Sequence, residues 1–213
     1  MAKQKTKVED VSQARKSANG AAKYQRILDA AIDVIAEKGY FQSRVSDIAQ
    51  RAGVADGTIY LYFRNKEQIL TAAIDAAFAA FLEKARREVE QAKDPRERLR
   101  RVALLHLKAM GEHRSLAVVF QTELRQSAKF LAQFSHQRLV EYFELIRRVV
   151  REGQEAGLFR RGMSDKIAAN CFFGALDEMV TSWVLSEREY ALAGAADAVA
   201  DLILKGMETR EGA

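Results

Sequence analysis

The segment Val45-Ser-Asp-Ile-Ala-Gln-Arg-Ala-Gly-Val-Ala-Asp-Gly-Thr-Ile-Tyr-Leu-Tyr-Phe63 decides how the chain folds. Its first half reads as a short helix, Ser43 to Gly53, with Ser43 as N-cap, Asp47 in the first turn and Gly53 as the stop. Gly53 to Gly57 leaves room only for a tight connection before Thr58 to Phe63, and Arg64-Asn65 break that second helix. Ile48 and Ala49 face inward from the first helix, Ala52 and Val54 fill the turn, and Ile59 with Phe63 anchor the second at i, i+4. A longer amphipathic helix precedes the pair. Ile27, Ala31, Val34 and Ile35 recur at i, i+4, i+7 and i+8 between Tyr24 and Gly39. Two short helices on a longer one, joined by a glycine-containing turn, make a helix-turn-helix unit. A three-helix corner that never meets nucleic acid has the same periodicity, so spacing alone leaves both readings open.

Beyond Phe63 the apolar stripe lengthens. Ile69, Ala73, Ala77, Phe81 and Ala85 alternate with Leu70, Ile74, Phe78, Leu82 and Val89, which predicts a rigid lever from Glu67 to Lys93. Pro95 suits the first turn of the next helix, which runs to Gly111. A shorter segment follows from Ser115 to Ser127, then a long one from Ala128 to Gly157, then Asp165 to Glu187 after a turn at Gly162 to Ser164, and finally Ala191 to Met207. The expected fold is all-α, with about nine helices. A single proline and 12 glycines are too little punctuation for a β-sandwich or barrel. The expected domains are a basic, disordered tail over 1–20, a helix-turn-helix domain over 21–67, and a second helical domain over 68–213.

Charge is unevenly spread. Residues 1–70 carry 12 Lys and Arg against 8 Asp and Glu, while the remainder is nearly balanced at 22 against 21. An excess in the first third points that third toward a polyanion, although a solvated tail would also produce it. No window reaches the roughly 18 apolar residues of a membrane span, and one cysteine, Cys171, makes neither an internal disulfide nor a thiolate cage. A cytoplasmic protein with no membrane partner is expected. His106, His113 and His136 are scattered, with no Glu-x-x-His, Gly-x-Ser-x-Gly, phosphate loop or Cys-x-x-Cys. No metal, no cofactor and no enzyme activity are therefore expected.

Tyr24-Gln-Arg-Ile-Leu-Asp-Ala-Ala, Gly39-Tyr40, Val45 to Val54, Gly57 to Phe63 and Lys66-Glu67 together resemble the N-terminal domain of TetR-family transcriptional regulators. The resemblance implies a homodimer that binds double-stranded operator DNA, with a recognition helix in each of two major grooves. Small residues at the leading end, Ala55, Gly57 and Thr58, let the backbone approach the duplex, and the Thr58 hydroxyl suits a phosphate. Tyr60 and Tyr62 lie about 200° apart on a helix, so both cannot be core. Both are assigned to DNA. Lys66, at the start of the next helix, is expected on a phosphate, and Ser43, Arg44 and Ser46 on the duplex backbone. The family commonly has Ser where this chain has Ala55. Asp56 must then cap the recognition helix or face solvent, and the cap is the expected role.

Three stretches narrow the resemblance to the FadR-like subgroup, acyl-CoA-responsive repressors of fatty-acid degradation: Val54 to Phe63, Glu123-Leu-Arg-Gln-Ser127, and Phe173-Gly-Ala-Leu-Asp-Glu-Met-Val-Thr-Ser-Trp183. A long-chain acyl-CoA effector needs an apolar tunnel and cations for its phosphates. Leu104, Leu107, Met110, Phe120, Leu124, Phe143, Phe173, Leu176, Met179 and Trp183 are candidate lining. Arg125 is the first candidate for the phosphates, with Arg114, Lys129, Arg147 and Arg148 behind it, although Arg125 bridged to Glu123 or Asp177 is an open alternative. The long helix around Phe172 and the last helix, with Ala195, Ala196, Val199, Leu202, Ile203 and Met207, offer stripes for a four-helix dimer interface. The other readings are a helical adaptor without DNA and an acyl-CoA-processing enzyme. The resemblance gives neither the operator nor the sense of the effector's action.

Overall fold

A computed structural model describes residues 18–124, 136–188 and 190–209. Among them are nine α-helices and one isolated bridge, Phe159 with Glu208, in place of any strand. The described residues divide into two compact units, one of residues 18–76 with 118–124, the other of the described residues from 77–117 and from 136 onward. The boundary falls inside a helix rather than at residue 67, and the described residues 118–124, expected in the second domain, belong to the first.

The first unit is built on α1 (Ala18–Lys38), α2 (Val45–Ala52), α3 (Asp56–Tyr60) and the start of α4 (Lys66–Gln91). Ile27, Leu28, Ile35, Ile48, Ile59, Phe63, Ile69 and Leu70 are sealed from solvent. α1 begins at Ala18, several residues before the expected start at Tyr24, because tertiary packing overrides the weak helix propensity of Asn19 and Gly20. Gly20 is buried, and the Tyr62 hydroxyl lies 3.5 Å from its carbonyl oxygen. The expected disorder of the tail concerns residues that otherwise lie outside those described. α2 ends on Gly53, whose left-handed backbone (φ 65°) returns its N–H to the last turn and turns the chain into α3. A π-helical turn, Val119–Leu124, also packs on α1.

The second unit holds the rest of α4, α5 (Pro95–Glu112), α6 (Arg114–Val118) up to Ala117, α7 (His136–Glu155), α8 (Asp165–Leu185), a 3-10 turn at Leu192–Ala195, and α9 (Ala196–Met207). Pro95 occupies the first turn of α5 as expected, and the Asp94 carboxylate caps it by accepting from the Arg96 and Glu97 amides at 2.8 and 3.0 Å. α7 closes at Gly157, and the chain doubles back so that the Phe159 ring lies directly against Gly153. The Leu158 and Phe159 amides both donate to the Gly153 carbonyl, at 2.9 and 3.1 Å. Arg160 N–H then donates to Met207 O at 2.9 Å, which fastens the end of α9 to this hairpin.

Candidate nucleic-acid interface and effector compartment

In the first unit, the end of α1 is clamped to α2 by two ion pairs. Lys38 meets Asp47 at 3.0 Å, and Arg51 holds Glu37 at 2.6 Å. Asp47 also accepts the Arg44 amide at 2.8 Å, so Arg44 and not Ser43 stands at the N-cap position of α2. Arg44 and Ser46 project into solvent from that end, as do Ala55, Asp56, Gly57 and Tyr60 from α3, while Thr58 is half-buried. No side chain caps α3. Ala55 occupies the cap position without a hydroxyl to offer, and the Asp56 carboxylate is exposed, so the expected cap does not form.

Three expected duplex contacts are turned inward. Tyr62 is only 6% exposed, with its ring 6.0 Å from Tyr24 and 6.4 Å from Phe63. The helical part of α3 stops at Tyr60, so the 200° separation does not carry Tyr62 outward. Ser43 is buried, and its hydroxyl donates to Tyr40 O at 2.8 Å. The Lys66 ammonium donates to Tyr40 O and, at 2.7 Å, to Ser43 O, and sits 4.3 Å from the centre of the Tyr40 ring. Burial lowers the Lys66 pKa, and the carboxylates of Glu123 and Asp47 partly offset that. Lys66 is thus a clamp on the α1–α2 turn. Replacing Lys66 by Met is expected to cost about 2 kcal/mol, read by urea denaturation, because two carbonyls lose a charged donor. A lysine reaching only for phosphate would leave stability within about 0.5 kcal/mol.

Gly57 stands in open space on an ordinary backbone, as do Gly162, Gly174, Gly194 and Gly206, but it alone of these lies at the exposed leading end of α3. A Cβ built on it meets nothing within 4 Å, and its backbone is not left-handed. The fold itself does not ask for glycine there, although glycine weakens a helix by about 1 kcal/mol relative to alanine. An exposed glycine at this end of α3 leaves room for a neighbour outside the chain to come close to the backbone. Sequence reasoning passed over Leu61, which is 60% exposed beside Tyr60. Its signal was available: Leu61 lies two residues from each of the core anchors Ile59 and Phe63, and so faces away from both.

In the second unit, Leu107, Leu176 and Trp183 are buried, with Met110, Phe143, Phe173 and Met179 packed on the same core. The Phe143 and Phe173 rings meet at a tilt of 53° with centres 4.9 Å apart. Leu104 departs from the expected lining: at 47% exposed it is on the outer face of α5. Phe120 falls in the first unit, and the side chain of Leu124 and all of Arg125 and Lys129 lie outside the described residues. Arg147 is paired with Asp165 at 3.0 Å and Glu144 at 2.9 Å, and Arg148 approaches Glu152 at 3.8 Å. The i, i+3 spacing of Glu144 and Arg147 makes that pair local. A guanidinium already held by two carboxylates is a poor phosphate site. Arg114 lies over the Trp183 ring at 4.8 Å and donates to Val184 O at 3.0 Å, with its remaining N–H groups toward the surface.

A polar pair among these rings was not foreseen. His106 Nδ1 and the Tyr142 hydroxyl are 3.0 Å apart, enclosed by Phe81 and Phe173. Burial drives the His106 pKa down to about 4 and the Tyr142 pKa up. Among the described residues no group of His, Cys, Asp and Glu could hold a metal, and no helix is long and apolar enough to cross a membrane.

Two family models match the chain in adjoining stretches. Residues 27–73 match the family described as bacterial regulatory proteins, tetR family, and residues 74–206 match YsiA-like protein, C-terminal region. The fatty acid metabolism regulator protein of Bacillus subtilis is 38% identical over 188 residues, covering 88% of this chain and 97% of its own. The crystal structure of FadR from B. subtilis with stearoyl-CoA has a TM-score of 0.81 at 38% identity, over 87% of this chain and all of that one. FadR from Bacillus halodurans has a TM-score of 0.83 at 41% identity, over 88% of this chain and 97% of the other.

Proposed function

The chain belongs to the TetR family of bacterial transcriptional regulators, and we propose that it is a homodimeric repressor of fatty-acid degradation genes that leaves its operator on binding long-chain acyl-CoA. It is a regulator of the FadR type, and we assign it no catalytic step. The observation that carries the DNA-binding reading is the tip of α3: Ala55, Asp56 and Gly57 are all exposed, and Gly57 is free of any demand from its own fold. Such a tip suits a backbone that lies close to base edges and phosphates. Arg44, Ser46, Thr58 and Tyr60 flank it, and these four are the contacts we assign to the duplex.

For dimerisation, the support is apolar surface left over in the second unit. Ile167 and Leu185 are about five helical turns apart on α8 and so share a face, and both are exposed, as is Leu202 on α9. Two such faces make a self-complementary interface. For the effector, the support is the relative solved with stearoyl-CoA together with the apolar set Leu107, Met110, Phe143, Phe173, Leu176 and Met179. The effector must prefer a dimer whose two α3 tips do not match successive major grooves, since equal affinity for both forms shifts nothing. We assign the cytoplasm, where such DNA is found.

The direct test titrates a labelled duplex from upstream of the protein's own gene. Binding should fall steeply with salt, by about 0.9 in log–log slope for each phosphate neutralised, and palmitoyl-CoA should release the duplex where free CoA does not. A flat salt plot, or equal release by CoA alone, would contradict the reading. Gly57→Ala gives effects of opposite sign: about 0.5 to 1 kcal/mol more stability in urea, with weaker operator binding. A variant that is stabler and binds equally well would show that nothing approaches that backbone.

A further inference from the structure

The turn between α1 and α2 carries Phe41, 86% exposed and more open than any other large apolar side chain described. Isolated exposed apolar residues are common and mean little by themselves. This one differs in how it is held. The carbonyl just before it, Tyr40 O, accepts from both the Ser43 hydroxyl and the Lys66 ammonium, and the Ser43 amide donates to Gly39 O at 3.2 Å. The Tyr40 ring, fixed beneath Lys66, meets the Phe41 ring edge-on with centres 5.5 Å apart. Phe41 is therefore set at a defined place on a pinned turn, with one face against Tyr40 and the rest uncovered. Gln42 and Ser43 follow it directly, then exposed Arg44 and Ser46 at the leading end of α2. In a helix-turn-helix that end crosses the phosphate backbone.

We propose that Phe41 is an operator-binding residue, packing its ring on the deoxyribose carbons between the phosphates that Arg44 and Ser46 grip. The inference rests on the DNA-binding reading given above. The occupant is DNA because exposed Arg44 and Ser46 follow the ring by three and five residues, so that Phe41 is continuous along the chain with the assigned duplex contacts. The sugar is the apolar part of that backbone and is the same for every base. Phe41 therefore adds affinity without reading sequence.

The test is fluorescence anisotropy with the labelled upstream duplex and a shuffled duplex, on the full chain and on Phe41→Ala and Arg44→Ala. Phe41→Ala should weaken both duplexes by about fivefold to tenfold, the effect of burying part of a phenyl ring. Its salt slope should equal that of the unaltered chain, whereas Arg44→Ala should reduce the slope by about 0.9. Its thermal midpoint should not move, since the ring touches little in the free protein. Unchanged affinity in Phe41→Ala overturns the inference, as does a loss confined to the upstream duplex, which would make Phe41 a base reader. A changed salt slope or a lowered midpoint also overturns it, by tracing the loss to charge or to folding. If the unaltered chain binds neither duplex, the DNA-binding reading itself fails; if it binds and only Phe41→Ala is silent, that reading stands.

Discussion

Gly153→Ala is expected to destabilise the protein by about 3 kcal/mol, lowering the thermal midpoint by about 10 °C. A Cβ at this position would lie 2.1 and 2.3 Å from two carbons of the Phe159 ring. Phe159 is fully buried, and the amides of Leu158 and Phe159 are tied to the Gly153 carbonyl, so neither ring nor backbone has room to retreat. The cost is steric alone, because Gly153 does not adopt a left-handed backbone. Calorimetry of the single variant gives the loss, and Phe159→Leu placed in the Gly153→Ala background should recover part of it. A midpoint equal to that of the unaltered chain would mean that the hairpin after α7 is not packed as described.

The second large effect is acid sensitivity centred on His106. Its folded pKa, about 4, is below the ordinary 6.5 because the ring is buried beside Tyr142, Phe81 and Phe173. A depressed histidine favours the fold when neutral, so its contribution is complete above pH 6.5 and is lost as the pH falls toward 4. The full loss is on the order of 3 kcal/mol. Carboxylates with lowered pKa values, such as Glu97 and Asp47, lose their contributions only at lower pH. The interval between pH 6.5 and 4.5 therefore isolates His106. Urea unfolding across it should show stability falling in the unaltered chain and nearly level in His106→Gln, which keeps a hydrogen-bonding partner for Tyr142. Parallel curves for the two would exclude His106 as the source.

What sequence reasoning could read follows the range of the interactions. The helix-turn-helix was legible because its signals are local, an i, i+4 pair at Ile59 and Phe63 and a glycine stop at Gly53, and the start of α5 in the second unit was legible from Pro95 for the same reason. The outward tip at Ala55 to Gly57 was legible for the same reason. Ser43, Tyr62 and Lys66 were read as facing outward because periodicity does not say where a third helix will lie. Tyr62 and Lys66 are turned inward by partners far along the chain, as when Lys66 reaches back to Tyr40, and Ser43 by the Tyr40 carbonyl three residues before it. The pairing of His106 with Tyr142 across 36 positions had no local signal. Leu104 is apolar like the rest of the expected lining, but it lies off the stripe of Leu99, Val102, Ala103 and His106 on α5 and faces solvent.

The π-helical turn at Val119–Leu124 packs on α1, and Glu123 lies within 3.5 Å of where a Cβ on Gly39 would be, close enough for its charge to act on Lys66. The reading head thus borrows a piece of chain from more than forty residues downstream of its own last helix-turn-helix residue. During synthesis it cannot be finished when its three helices leave the ribosome. It waits for α5 and α6 to be made, so a nascent or prematurely terminated chain carries a head lacking one of its own supports.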